Sequence, residues 1–197
     1  YYVADIYVRD VTQIKTAHCR NNFKNTGHGD VERMCRQNNA LVAISGDYCG
    51  FHRDSLVIRN GEVYRKTMHN DQDICLLLRD GTMETIRFRD AKIGDILEKD
   101  PWQAWQFGPA LLNAEGDAYT AFPDSNLNNR NPRCCIGYVD PGAVVNIIMD
   151  VWMGSNSAPA QSMALMPEPS QREPIRHCTF IFCVMGCSAF IMGVFMR

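Results

Sequence analysis

Charge of one sign is the first thing this chain lacks. Twenty lysines and arginines stand against 22 aspartates and glutamates, for a net charge of −2. The basic footprint that nucleic acid requires is therefore missing, and no nucleic-acid partner is expected. An anionic ligand is still compatible, because a local arginine cluster can act within a neutral protein. The chain also lacks any CxxC pair, although it holds nine cysteines. An odd count with adjacent Cys134-Cys135 does not make the framework of a small disulfide-stapled domain, and leaves the redox compartment open. His177, Cys178, Cys183 and Cys187 come nearest to a ligand set, but their spacing matches no familiar zinc motif. The expectation is no metal and no cofactor. A charged segment leading into an apolar one is absent from the start, so no signal peptide is read there, and a first residue other than methionine suggests an excised or processed chain. Internal repeats and low-complexity segments are absent too.

Long apolar runs are scarce, with one exception. Cys178 to Met196 is an uncharged stretch of 19 residues flanked by Arg176 and Arg197. It is long enough to span a bilayer, but its cysteines, glycines, serine and threonine suit two core strands or a buried helix equally well. Core packing is the preferred reading, and membrane contact through 178–196 the lesser one. The segment before it, 151–176, holds four prolines and shows weak periodicity.

What is present reads as one domain, mixed and rich in strands. Hydrophobic residues make up 46% of the chain, enough for a packed core in 197 residues. Tyr2 to Val8 alternates as a strand does. Gly29 to Asn39 predicts a short helix with Asp30 as N-cap and Val31, Met34 and Cys35 on one face. Leu56 to Tyr64 predicts a hairpin turning at Asn60-Gly61 in a type I′ turn, and Ile74 to Ile86 repeats the pattern around Asp80-Gly81. Ala91 to Trp105 reads as a helical region interrupted by Pro101. The fold class expected is α+β, with a largely antiparallel sheet and a few packed helices.

The most informative stretch is Ala43-Ile44-Ser45-Gly46-Asp47-Tyr48-Cys49-Gly50. Leu41 to Ile44 reads as a buried strand that ends abruptly in a glycine-flanked turn carrying a carboxylate. Asp47 then sits at a strand end, where an acid can meet a sugar or take part in catalysis. It can equally do no more than cap backbone N–H groups.

Five segments in order carry a resemblance: YYVADIYVRDVTQIKTA, NNALVAISGDYCGF, LVIRNGEVYR, QAWQFGPALLNAEG and NPRCCIGYVDPG. Together, over about residues 1–142, they resemble the phosphodiester glycosidase family, whose members include an enzyme that removes N-acetylglucosamine from a sugar-phosphate diester. The resemblance implies a hydrolase acting on a glycan or sugar-1-phosphodiester at the anomeric carbon, in an extracellular or cell-envelope setting. Ser45-Gly46-Asp47-Tyr48 looks like the family's N-G-D-Y turn, with serine in place of asparagine. Gly108-Pro109-Ala110-Leu111 looks like its G-P-A-L loop, where Gly108 would let backbone amides face the ligand. Asn131-Pro132-Arg133 looks like N-P-R. By this mapping Asp47 and Asp150 are the candidate catalytic carboxylates and Arg133 the phosphate holder, since a guanidinium fork suits two phosphate oxygens. Ser45, Gly46, Tyr48, Gly108 and Asn131 are the candidate substrate-binding residues. Tyr48 or Trp105 is a candidate for stacking on the sugar, with core packing the commoner fate for either, and His52 is a possible acid or base.

Past residue 142 the resemblance thins. Asn146 to Asp150 places Asp150 on the family's aspartate, but Val151-Trp152 replaces its Gly-Arg, and no second acid appears near Gly186 to Phe190 where the terminal strands of the pattern belong. The domain is thus read as 1–197 with 142–197 divergent or incomplete. The alternative to an active glycosidase is a catalytically inactive carbohydrate-binding or structural domain of the same fold.

Overall fold

A computed structural model describes residues 2–19, 22–23, 30–47, 49–50, 53–68, 71–106, 109–113, 116–120, 133–138, 145–152, 163–165, 180–184 and 189–192. Along the chain run β1 (Tyr2–Val8), β2 (Ile14–Thr16), α1 (Val31–Gln37), β3 (Val42–Ser45), β4 (Leu56–Arg59), β5 (Glu62–Lys66), β6 (Ile74–Leu77) and β7 (Met83–Ile86). Then come α2 (Ile93–Glu98), β8 (Gln103–Gln106), β9 (Arg133–Tyr138), β10 (Val145–Trp152), β11 (Met163–Leu165), β12 (Phe180–Val184) and β13 (Ala189–Met192). They form three sheets, ordered β1-β10-β9-β12, β11-β3-β13-β2 and β5-β4-β8-β6-β7. Every pairing among these strands is antiparallel. The class is α+β, as expected.

Local chemistry explains the elements that came out as read. Asp30 caps α1 by accepting from the Arg33 N–H at 2.7 Å. Asn39, at φ 51°, ends that helix: its N–H reaches the Arg36 carbonyl at 3.2 Å, and the next N–H, of Ala40, reaches the Cys35 carbonyl at 3.0 Å. The buried face of Val31, Met34 and Cys35 packs with Ala43 of β3. In the β4–β5 hairpin, Asn60 (φ 53°) and Gly61 (φ 77°) both take the left-handed conformation that a type I′ turn demands. The β4–β8–β6 face carries the larger core, where Leu56, Ile58, Ile74, Leu76 and Ala104 pack against Ile96 of α2.

Two expectations change. The β6–β7 hairpin has a longer turn than its Asp-Gly pair suggested. The Gly81 N–H donates to the Leu78 carbonyl at 3.1 Å and the Leu78 N–H to the Thr82 carbonyl at 2.8 Å, with only Gly81 left-handed. That is a three-residue loop with a glycine bulge. Second, the helical region read over 91–105 ends at Glu98, and Gln103–Gln106 forms β8, the central strand of the five-stranded sheet. All four β8 residues are buried, so no amphipathic period marks them, and their strand identity comes from β4 and β6 on either side. The apolar run 178–196 contains two strands, β12 and β13, one of the two readings left open for it, and they join two different sheets. No helix among the described residues is long and apolar enough to cross a membrane.

Candidate active site

The turn after β3 is the starting point. β3 is flanked in its sheet by β11 and β13, and its Ala43 and Ile44 are buried. The chain leaves the sheet through buried Gly46, and Asp47 follows with 1% of its surface exposed. A buried carboxylate is costly unless paired. Its partner is Arg59, the last residue of β4 and fully buried, whose Nη2 donates to Asp47 Oδ2. Arg59 Nη1 is held in turn by the Ile58 carbonyl at 3.0 Å and by the Ala104 carbonyl of β8. The strand-end acid is thus tied to the centre of the neighbouring sheet.

A polar network sets the approach of β2 to that sheet. The Thr16 N–H donates to Asn60 Oδ1 at 2.8 Å, and Asn60 Nδ2 returns a bond to the Thr16 carbonyl at 2.9 Å. Gln103 Nε2 reaches Asn60 Oδ1 at 2.9 Å and the Ile14 carbonyl at 3.1 Å, while its Oε1 accepts from the Asn60 N–H at 3.1 Å and from the Thr16 hydroxyl at 3.1 Å. The residue that makes the hairpin turn therefore also clamps β2. Two residues past Thr16, His18 comes within electrostatic reach of Arg59, Asp47 and Glu62.

His18 packs edge-on against Phe23, with ring centroids 5.4 Å apart, and against Tyr64, at 5.2 Å. Its Nε2 is covered and has no hydrogen-bond partner among the described residues. Burial holds the imidazole below its ordinary pKa, and the Arg59 cation adds to the effect against the weaker pull of Asp47 and Glu62. Burial and a hydrogen bond to Glu62 push the Tyr64 phenol up. Arg65, next on β5, donates from Nη2 to the Cys49 carbonyl, which fixes the turn beyond Asp47.

The remaining candidates lie elsewhere or outside the described residues. Asp150 is on β10 and Arg133 on β9, both in the first sheet, whereas Asp47 follows a strand of the second. The register puts Asp150 opposite Cys135 and Arg133 opposite Trp152, so the acid and the arginine are two pairs apart along one ladder. Ser45 ends β3 opposite Ala189 of β13. Tyr48, His52, Gly108 and Asn131 lie outside the described residues. Trp105 takes the core-packing alternative: only 1% exposed in β8, it offers no face to a sugar. Among the described residues, no three His, Cys, Asp or Glu side chains are grouped to hold a metal.

Sequence reasoning missed Arg59, Arg65, His18 and Asp73. The last is 4% exposed and anchors the loop after β8, with Oδ2 accepting from the Ala110 N–H and Oδ1 from the Phe88 N–H, each at 3.1 Å. A charge inside the apolar strand LVIR was a legible signal for Arg59. His18 and Asp73 carried none.

The family model for phosphodiester glycosidases matches residues 38–167, well over half of the chain. The chain belongs to the phosphodiester glycosidase family. The match begins later than the motifs quoted above and continues past residue 142, through β10 and β11. No curated protein matches the chain. Among solved structures, the catalytic domain of zebrafish N-acetylglucosamine-1-phosphodiester alpha-N-acetylglucosaminidase, auto-inhibited by its pro-peptide, is similar, with a TM-score of 0.59 and 16% identity. The similarity covers 94% of this chain and 82% of that one, and at that identity it establishes the shared fold. Family membership supports a glycosidase-type hydrolase function on a phosphodiester-linked glycan.

Proposed function

We propose that this chain hydrolyses a sugar-1-phosphodiester of the N-acetylglucosamine-1-phosphodiester type at the anomeric carbon. The bond from C1 to the phosphate oxygen breaks, a water oxygen adds to C1, and the products are the free sugar and a phosphomonoester. Such a reaction passes through an oxocarbenium-like transition state that carboxylates stabilise. The departing phosphomonoester is a weakly basic leaving group, so a guanidinium that takes up its charge can stand in for much of the protonation an alcohol would need. In this reading Asp47 and Asp150 supply the carboxylates and Arg133 the phosphate contact. Ser45, Gly46, Tyr48, Gly108 and Asn131 line the substrate, and the setting is extracellular or the cell envelope.

The observation that carries the reading is the extent of the family match, which runs through Asp47, Arg133 and Asp150 alike. One observation favours the second reading, an inactive carbohydrate-binding or structural domain: the Asp47 carboxylate is covered and ion-paired in the interior. Release of free sugar from an N-acetylglucosamine-1-phosphodiester by the purified chain separates the two. Turnover that disappears in Arg133→Ala, with the circular dichroism unchanged, supports the glycosidase. A folded wild-type chain that releases no sugar supports the inactive domain.

A further inference from the structure

Two connections leave one end of the five-stranded sheet, and a single carboxylate holds both. Ile74 opens β6 opposite Ile86, the last residue of β7, and opposite Gln106, the last residue of β8. Asp73, just before Ile74, therefore stands where the chain leaves both neighbouring strands. Its Oδ1 accepts from the Phe88 N–H after β7 and its Oδ2 from the Ala110 N–H after β8, each at 3.1 Å. Asp73 and Ala110 are both buried, and bonds to a carboxylate are among the stronger ones. Gln106 fixes the start of the loop after β8: its Nε2 donates to the Gln72 carbonyl at 3.2 Å, and its Oε1 accepts from the Leu56 N–H at 2.8 Å. Arg87 ties in the far end. Its Nε lies 3.5 Å from Asp73 Oδ1 and its guanidinium carbon 4.8 Å from the Tyr119 ring centroid, while the Tyr119 N–H donates to the Leu111 carbonyl at 2.9 Å.

This bracing is more than the sheet itself needs. β8 is already paired with β4 and β6 and packed in the apolar core, whereas Asp73 and Arg87 hold the chain beyond its last residue. Burying a carboxylate is costly unless its acceptors are used. Here two acceptors on one planar group set the spacing of two connections, which a single neutral acceptor cannot do. Between the anchors Pro109 and Leu111 are only half-buried, so the loop keeps surface for a ligand while its backbone is held. We propose that Asp73, braced by Arg87, is a positioning residue for substrate binding: it sets the backbone of Pro109-Ala110-Leu111, the loop in which the glycosidase reading places Gly108 against the substrate. The proposal rests on that reading for the loop's contact with substrate. Asp73 acts through the loop and touches no reacting atom. A loop held before the substrate arrives loses little freedom on binding, so loosening it weakens the hold on substrate and transition state alike.

Steady-state hydrolysis of an N-acetylglucosamine-1-phosphodiester by the full chain tests this. Asp73→Asn keeps the size of the side chain but accepts from only one of the two N–H groups; it raises KM about tenfold and leaves kcat within about twofold. Arg87→Met removes the brace at a half-exposed residue and raises KM roughly threefold. It stands in for Asp73→Asn if that variant does not fold. A role confined to stability moves a different quantity: it lowers the folded fraction, hence the apparent kcat, and leaves KM alone. Turnover with KM unchanged in folded Asp73→Asn, or in Arg87→Met where Asp73→Asn does not fold, overturns the positioning role and leaves the glycosidase reading standing. A wild type that releases no sugar removes the glycosidase reading, and calorimetric binding of N-acetylglucosamine 1-phosphate then reads the loop instead. Weaker affinity in the same variant, by the same factor, upholds the positioning role. Equal affinities, or no binding to the wild type, overturn it as well.

Discussion

Arg59→Met is the sharpest perturbation of this structure. It leaves the Asp47 carboxylate buried without its counter-charge, and it strips a donor from the Ile58 and Ala104 carbonyls. Arg59 and Asp47 side chains are each 1% exposed, so water does not replace the lost partner. Breaking a buried pair from one side costs about 3–5 kcal/mol, a large share of the roughly 5–15 kcal/mol that holds a domain folded. Asp47→Leu makes the complementary error and is expected to cost as much. Replacing both charges with apolar side chains removes the unpaired charge, so Arg59→Met with Asp47→Leu is expected to recover most of the loss. Urea denaturation followed by tryptophan fluorescence measures all four proteins in one cycle, Trp105 being buried in β8 beside the pair's anchor at Ala104. Additive single effects, or singles within about 0.5 kcal/mol of wild type, would refute the coupling. The stable double variant then gives the cleanest reading of chemistry. Turnover in it shows that Asp47 only positions the turn, and its loss supports a direct role for the carboxylate.

Further outcomes follow from single features. His18 has a folded pKa below its ordinary value near 6.5, chiefly through burial. The unfolded chain therefore binds the extra proton first, and stability is full above about pH 6.5, declines as the pH falls below it, and levels off below the folded pKa. Urea midpoints across that range check this, and His18→Gln is expected to flatten the profile. Gly61→Ala forces a side chain into φ 77° and brings its Cβ to 2.7 Å from Arg79 Nη2. The guanidinium, bonded to Asp100, must shift, and the Trp102 ring also stands within 3.3 Å, so a loss of at least about 1–2 kcal/mol is expected, the part due to the left-handed backbone, and thermal unfolding measures it. Cys75 is fully buried on β6, and burial pushes its thiol far up. Iodoacetamide followed by mass spectrometry is expected to leave it unmodified in native protein and to label it in urea.

Legibility in the sequence tracked the range of the forces involved. The helix at Val31–Gln37 and the hairpin at Asn60-Gly61 depend on groups within a few residues of each other, an N-cap carboxylate and two left-handed turn residues. Those were set by the sequence alone, as were the β1 span, the strand before Asp47, the α+β class and the motifs of the family. The central strand Gln103–Gln106 was not, because its identity depends on β4 and β6, both far off in the chain. The same holds for the site. That Asp47 ends a strand was readable from its glycine-flanked turn. That its carboxylate meets Arg59, 12 residues on, depended on the turn after β3 reaching β4, and that His18 comes within electrostatic reach of both depended on Asn60 and Gln103 bonding across 43 to 89 residues to clamp β2 onto the hairpin. Local chemistry fixes turns and caps one by one, but buried charges and half-buried rings acquire their partners only when the sheets close over them.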